Sequence, residues 1–228
     1  MIDLYTWPTP NGQKVQILLE ELALPYTVRA VNIGRGEQFE EAFLRISPNN
    51  KIPAVVIPDG PGGEPLALFE SGAILLHLAE AHEAFLPTAP RGRAEAIQWL
   101  MFQMGGLGPM LGQAHHFTQY APESIEYAIR RYTREANRLY GVLDRRLAEV
   151  EFLAGDYSIA DIASYPWTLN PEKKGVDIAD YPQVARWQKV IGERPGVRRG
   201  MAVLAEERRD MDEDAREILF GDSQYRRR

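Results

Sequence analysis

The feature that most limits how this chain can fold is a change of hydrophobic rhythm near residue 84. Before it, short strand-like runs alternate with helix-like ones; after it, only helical spacing remains. Residues 2–7 read as a short apolar strand. Residues 12–24 carry Val15, Leu18, Leu19 and Leu22 on one helical face, and Pro25 stops that helix. Residues 26–31 read as a second strand and 39–46 as a helix. Residues 53–57 and 65–69 read as strands joined by the turn Pro58-Asp59-Gly60-Pro61-Gly62-Gly63. Residues 71–80 follow as a helix with Ile74, Leu75 and Leu78 facing inward. A helix between two strands implies a parallel pair and a tight turn an antiparallel one, so the sheet is mixed.

The second part is all helical. Pro87-Thr88-Ala89-Pro90 breaks the chain as a linker. Residues 91–117 place Ile97, Leu100, Met101, Met104, Leu107 and Leu111 inward, and Gly105-Gly106 and Gly108-Pro109 should kink that helix. Residues 124–150 form a long amphipathic helix. Ser158-Ile159-Ala160-Asp161 resembles a capping box, with Asp in place of Glu, opening a buried helix. Residues 181–191 and 197–205 complete the helical part. The expected fold class is therefore α/β plus all-α: a βαβαββα unit of thioredoxin-like order over residues 1–83, a linker over 84–92, and helices over 93–205. Residues 206–228 form a charge-dense tail in which Ile218-Leu219-Phe220 could dock.

Charge and residue usage exclude several functions. The formal net charge is −6 and the pI about 5.4, which disfavours nucleic acid; Arg226-Arg227-Arg228 is too short a basic run to reverse that. No run approaches the roughly 20 apolar residues of a membrane span. The first residues read as a strand and not a signal peptide, so the cytoplasm is the expected location. There is no cysteine, which removes disulfides, thiolate metal sites and a protein thiol nucleophile. His115-His116 is a poor chelate, because neighbours on a helix point about 100° apart, and no metal is expected.

Three places carry candidate chemistry. Glu70-Ser71-Gly72 stands where a helix begins. The Ser71 hydroxyl, its N–H and the helix terminus suit a carboxylate, and Glu70 suits an ammonium, although an ordinary helix cap would look the same. Ile52 before Pro53 fits an extended turn with a cis peptide, whose backbone edge could receive a peptide; Lys51 offers a cation or is merely solvated. Thr9-Pro10-Asn11 lies where the first strand enters the first helix. There a hydroxyl and an amide could stabilise an anionic sulfur, or simply cap the helix. Tyr5 reads as sheet packing. Phe102, Phe117, Tyr120, Trp167 and Trp187 read mostly as core, with some available to wall a pocket.

Four motifs in order, Thr9-Pro10-Asn11-Gly12, Ser47-Pro48-Asn49-Asn50-Lys51-Ile52-Pro53, Phe69-Glu70-Ser71-Gly72-Ala73-Ile74 and Gly105-Gly106-Leu107-Gly108-Pro109-Met110, resemble the nu class of glutathione transferases. These are bacterial proteins related to a fungal nitrogen regulator, with disulfide-bond reductase activity. The resemblance covers the chain except its last 20 or so residues. It implies a homodimer that binds reduced or oxidised glutathione. It assigns the sulfur to Thr9 and Asn11, and the tripeptide to Gln38, Lys51, Ile52, Glu70 and Ser71. It assigns a second glutathione to Arg131, which could otherwise be a solvated helix residue. Related enzymes that work through a protein cysteine are no guide here, so bound glutathione would have to be the only thiol. Conjugation of glutathione to electrophiles is the alternative activity. A non-catalytic regulatory module on the same fold is a second alternative.

Overall fold

The computed structural model describes residues 1–208 and 212–225; Arg226-Arg227-Arg228 lies outside the described residues. Four strands form one sheet in the order β2-β1-β3-β4: β1 (Ile2–Thr6), β2 (Tyr26–Ala30), β3 (Ala54–Ile57) and β4 (Leu66–Phe69). β1 and β2 are parallel, with Leu4 opposite Val28; β1–β3 and β3–β4 are antiparallel, with Val55 opposite both Leu4 and Leu68. The mixed sheet follows from the connections, one through a helix and one through a tight turn.

Helix α1 (Pro10–Glu21) links β1 to β2, and α3 (Ser71–Ala81) follows β4. The helix expected over 39–46 is split into a 3₁₀ turn at Glu37–Phe39 and the short α2 (Glu41–Leu44), because Glu40 between them is extended. Phe43 of α2 closes a small second core with Val31, Ile52 and Ala54, against which Tyr5 packs. The helical part contains α4 (Pro90–Phe102), α5 (Gly108–His115), α6 (Glu126–Glu149), α7 (Ile159–Thr168), α8 (Pro182–Gly192) and α9 (Pro195–Ala202).

Two elements position the cleft described below. The first is α1, which is covered by α3, α7 and α9. Val15, Ile17, Leu18 and Leu19 are all fully buried, as expected of a helix enclosed on several sides. Gly200 of α9 permits this closeness, because a Cβ there would sit 2.6 Å from the Ile17 Cα. The second is the run from α4 to α5, interrupted where the glycines and Pro109 predicted a kink. A π-helical turn spans Gln103–Leu107, and the Gly108 N–H donates to the Gln103 carbonyl. Pro109 then falls in the first turn of α5, where its missing N–H costs nothing. A second π-helical turn, His116–Tyr120, ends that run.

The capping box at α7 forms with both halves present: Ser158 caps, and Asp161 reaches back to the Ser158 N–H at 3.0 Å. The tail folds back as α10 (Glu213–Phe220) and a 3₁₀ turn at Asp222–Tyr225. Phe220 lies edge-on to His116 at 4.6 Å and stacked on Tyr120 at 5.7 Å. Among the described residues no helix is long and apolar enough to cross a membrane.

Candidate functional site

A cleft of about 510 Å³ opens between the two parts of the molecule. Its walls are the first turn of α1 (Asn11, Lys14), the loop from Ser47 to Pro53, the start of α3 (Phe69 to Ser71), the first π-helical turn, α5 and Trp167. Of the residues singled out in the sequence, Asn11, Lys51, Ile52, Glu70 and Ser71 meet in this one space. Thr9, Gln38 and Arg131 are not among its lining residues.

Each wall has a local cause. The Ile52–Pro53 peptide is cis. The buried Ser47 hydroxyl donates to the Lys51 carbonyl at 2.8 Å and so fixes the preceding loop. The ladder with β4 begins only at Ala54, which leaves the backbone of Ile52 outside it. Ser71 is the first residue of α3 and not its cap; the cap position belongs to Glu70. Glu70 sits at φ 68° and ψ 109°, a region ordinarily left to glycine, at about 1–3 kcal/mol of strain. That conformation holds its side chain at the cleft beside the free N–H groups of the helix start.

Thr9 caps α1, its Oγ1 accepting from the Gly12 N–H at 3.3 Å. Capping uses an oxygen lone pair and leaves the hydroxyl hydrogen free to donate. Asn11 accepts the Trp167 indole N–H on Oδ1 at 2.9 Å. With its oxygen so engaged, the amide presents Nδ2 as its other face. Gly108 and Gly112 make room for that indole, since a Cβ at either would approach the Trp167 ring within 3.5 Å. Trp167 therefore belongs to the cleft, whereas Trp187 is fully buried core.

Lys14 was not singled out by sequence and is the most unusual group in the cleft. It is 1% exposed. Its Nζ donates to Gln103 Oε1 at 2.8 Å and to Ser71 Oγ at 3.3 Å, and lies 3.5 Å from Met104 Sδ. Burial pushes its pKa down to about 7, partly countered by Glu70. Gln103 is fully buried, and its Nε2 has no hydrogen-bond partner. A signal for Lys14 existed in the sequence: it lies one helical turn before Leu18 and shares its inward stripe.

Gln38, Lys51 and Arg131 differ in their surroundings. Gln38 is 1% exposed, and neither of its amide atoms has a hydrogen-bond partner, a costly state that a polar ligand would relieve. Lys51 Nζ donates to Gln224 Oε1 of the folded-back tail at 2.8 Å, and partial burial lowers its pKa. Arg131 lines a separate cleft on α6 with Tyr127, Arg130, Arg134, Glu135 and Arg138. His115 and His116 lie against aromatic rings, and among the described residues no group of three or more His, Cys, Asp or Glu could hold a metal.

Residues 4–89 match the glutathione S-transferase N-terminal domain family and residues 109–195 the C-terminal domain family. The chain is 53% identical over 214 residues to the disulfide-bond oxidoreductase YfcG of Escherichia coli, covering 92% of this chain and all of that one. It is 46% identical to YghU, a disulfide-bond oxidoreductase of the same organism, over 89% of this chain and 74% of the relative. Among solved structures, a Pseudomonas putida glutathione transferase with one glutathione disulfide bound per subunit is 45% identical. It superposes with a TM-score of 0.85 over 89% of this chain and 91% of that one. A Burkholderia graminis glutathione transferase with two glutathione molecules bound per subunit is 46% identical, with a TM-score of 0.84 over 88% and 87%. The chain belongs to the glutathione S-transferase family.

Proposed function

We propose that this protein is a glutathione-dependent disulfide-bond oxidoreductase in which bound glutathione is the only thiol. The observation that carries this reading is a cleft rich in hydrogen-bond donors in a chain without cysteine. Ser71 and the start of α3 take the γ-glutamyl carboxylate, and Glu70 takes the ammonium. Ile52 pairs with the peptide backbone, and Lys51 with Gln38 holds the glycyl end. The free donors at the first turn of α1, the Thr9 hydroxyl and Asn11 Nδ2, favour the thiolate. In the fit of residues to ligand, the unpartnered Gln103 Nε2 at the cleft wall counts in favour.

The exchange is substrate chemistry. One glutathione thiolate attacks the substrate disulfide and releases one thiol; a second glutathione displaces the other thiol and leaves glutathione disulfide. Arg131 is assigned to that second glutathione. Because it lines a different cleft of its own chain, this assignment is tested separately by Arg131→Ala. We further read the enzyme as a cytoplasmic homodimer. Its need for reduced glutathione supports the location, and the resemblance of its motifs to the nu class supports the dimer. Sedimentation at micromolar concentration tests the dimer.

The activity is tested by following oxidation of glutathione with hydroxyethyl disulfide, beside conjugation to a chloronitrobenzene. Disulfide turnover should dominate, and Thr9→Ala and Asn11→Ala should each slow it by about tenfold or more. Dominant conjugation would make the protein a conjugating transferase. No turnover of either, with partner interactions intact in both variants, would make it a binding module.

A further inference from the structure

Lys14 is buried at the meeting point of three elements: α1, the start of α3 and the π-helical turn of the helical part. An ammonium has three N–H donors, and here three acceptors surround it: Gln103 Oε1 at 2.8 Å, Ser71 Oγ at 3.3 Å and Met104 Sδ at 3.5 Å. Ser71 gives Nζ a lone pair, and its own hydroxyl hydrogen goes to Met104 Sδ at 3.7 Å, a weak acceptor that a carboxylate oxygen can replace. Beside it, the Gln103 Nε2 is a buried donor without an acceptor. An unspent amide donor, a hydroxyl held only by a thioether, the first N–H groups of α3 and a lysine thus converge on one end of the cleft. Among these neighbours Glu70 carries the only opposing charge; Ser71, Gln103 and Met104 do not ionise. Lys51, the other cation of the cleft, is held by Gln224. Such an arrangement of donors suits an anion.

We propose that Lys14 is a positioning residue for the carboxylate end of glutathione: it holds the Ser71 oxygen, so that the hydroxyl can swing from Met104 to the ligand, and takes up a proton as the carboxylate docks. This rests on the reading that the γ-glutamyl carboxylate lies at the start of α3. With the pKa of Lys14 near 7 in the free protein, charged and neutral forms are close to balance at neutrality. An arriving carboxylate favours the charged form. A one-unit rise on docking corresponds to about a tenfold fall in affinity between pH 6 and pH 9, and to uptake of about half a proton near pH 7.5.

The test is calorimetric titration of the full protein with S-methylglutathione, which has no thiol to ionise. It is run at pH 7.5 in two buffers of different ionisation enthalpy and then as affinity from pH 6 to 9. The unaltered protein should take up about half a proton; Lys14→Gln should take up none and lose most of the pH dependence. The ligand ammonium, Glu70 and Lys51 are present in both, so the difference belongs to Lys14. Lys14→Arg, a cation that does not titrate in this range, should bind without proton uptake. Binding of the unaltered protein without uptake overturns the proposal, and needs no variant to fold. Equal pH dependence in Lys14→Gln also overturns it; if Ser71→Ala still loses affinity, the glutathione reading survives that failure. No binding of S-methylglutathione by the unaltered protein overturns both.

Discussion

Asp161 and Lys14 are both buried ionisable side chains, and their surroundings differ in kind. Asp161, in the helical part, is fully buried and accepts from the Leu153 N–H, the Trp187 indole, and the Ser158 N–H and hydroxyl, at 2.9 to 3.2 Å. Lys14, at the cleft, donates to neighbours but sits beside an amide donor, Gln103 Nε2, that has no acceptor. Burial drives both toward neutrality, Asp161 up to about 6 and Lys14 down to about 7. The size of the shift therefore does not separate a structural group from a functional one. What separates them is completion. The Asp161 network is closed within the protein, whereas the Lys14 network ends at a cleft with an amide donor unspent.

The largest expected effect breaks the closed network. Asp161→Ala leaves the Leu153 and Ser158 N–H groups and the Trp187 indole without their acceptor in the core, and should cost about 3–5 kcal/mol of stability by urea unfolding. Lys14→Met should behave oppositely, remaining within about 1 kcal/mol of the original or becoming more stable, because it removes a buried charge. A large loss in Lys14→Met would make Lys14 a structural group like Asp161.

The pH dependence of stability sharpens the same contrast. The pKa of Asp161 is raised on folding from 3.8 to about 6. Its contribution is fully present below about pH 4 and is lost as pH rises through 6. The pKa of Lys14 is lowered from 10.5 to about 7. Its contribution is present above about pH 10.5 and is lost as pH falls through 7. Urea midpoints measured from pH 7 to pH 9.5 should therefore rise more steeply in the original protein than in Lys14→Met. Equal slopes would mean that Lys14 has an ordinary pKa.

What was legible in the sequence had a short range. The capping box at Ser158 and Asp161 is a three-residue spacing, and the turn at Ile52-Pro53 is fixed by a proline. Glu70-Ser71 announces a helix start, although the positive φ of Glu70 was not visible there. Lys14 was missed because its burial depends on α3, α7 and α9 closing over α1, contacts made by segments far away in the chain. The tail was legible as charge with one apolar triplet, but its docking surface is built from His116 and Tyr120, about 100 residues upstream. The position of Arg131 on another surface of its own chain, beside Tyr127 and Arg130, likewise depends on how distant helices pack.

The smallest expected effect concerns the second cation of the cleft. Lys51 differs from Lys14 in that its partner, Gln224, is a neutral amide at an exposed contact and belongs to a segment that folds over from the far end of the described chain. Gln224 is itself braced, its Nε2 donating to the Ile218 carbonyl at 3.0 Å. α10 leans on the loop at Gly34 and Gly36 through Ala215 and Ile218. If Lys51 binds the glycyl carboxylate, the ligand must displace Gln224, which opposes binding by the net value of one hydrogen bond, about 0.5–1 kcal/mol. Gln224→Ala should then lower the KM for glutathione about two- to fivefold and leave kcat unchanged. A raised KM would mean that Gln224 contributes to the site, and that the tail completes the cleft instead of competing for it.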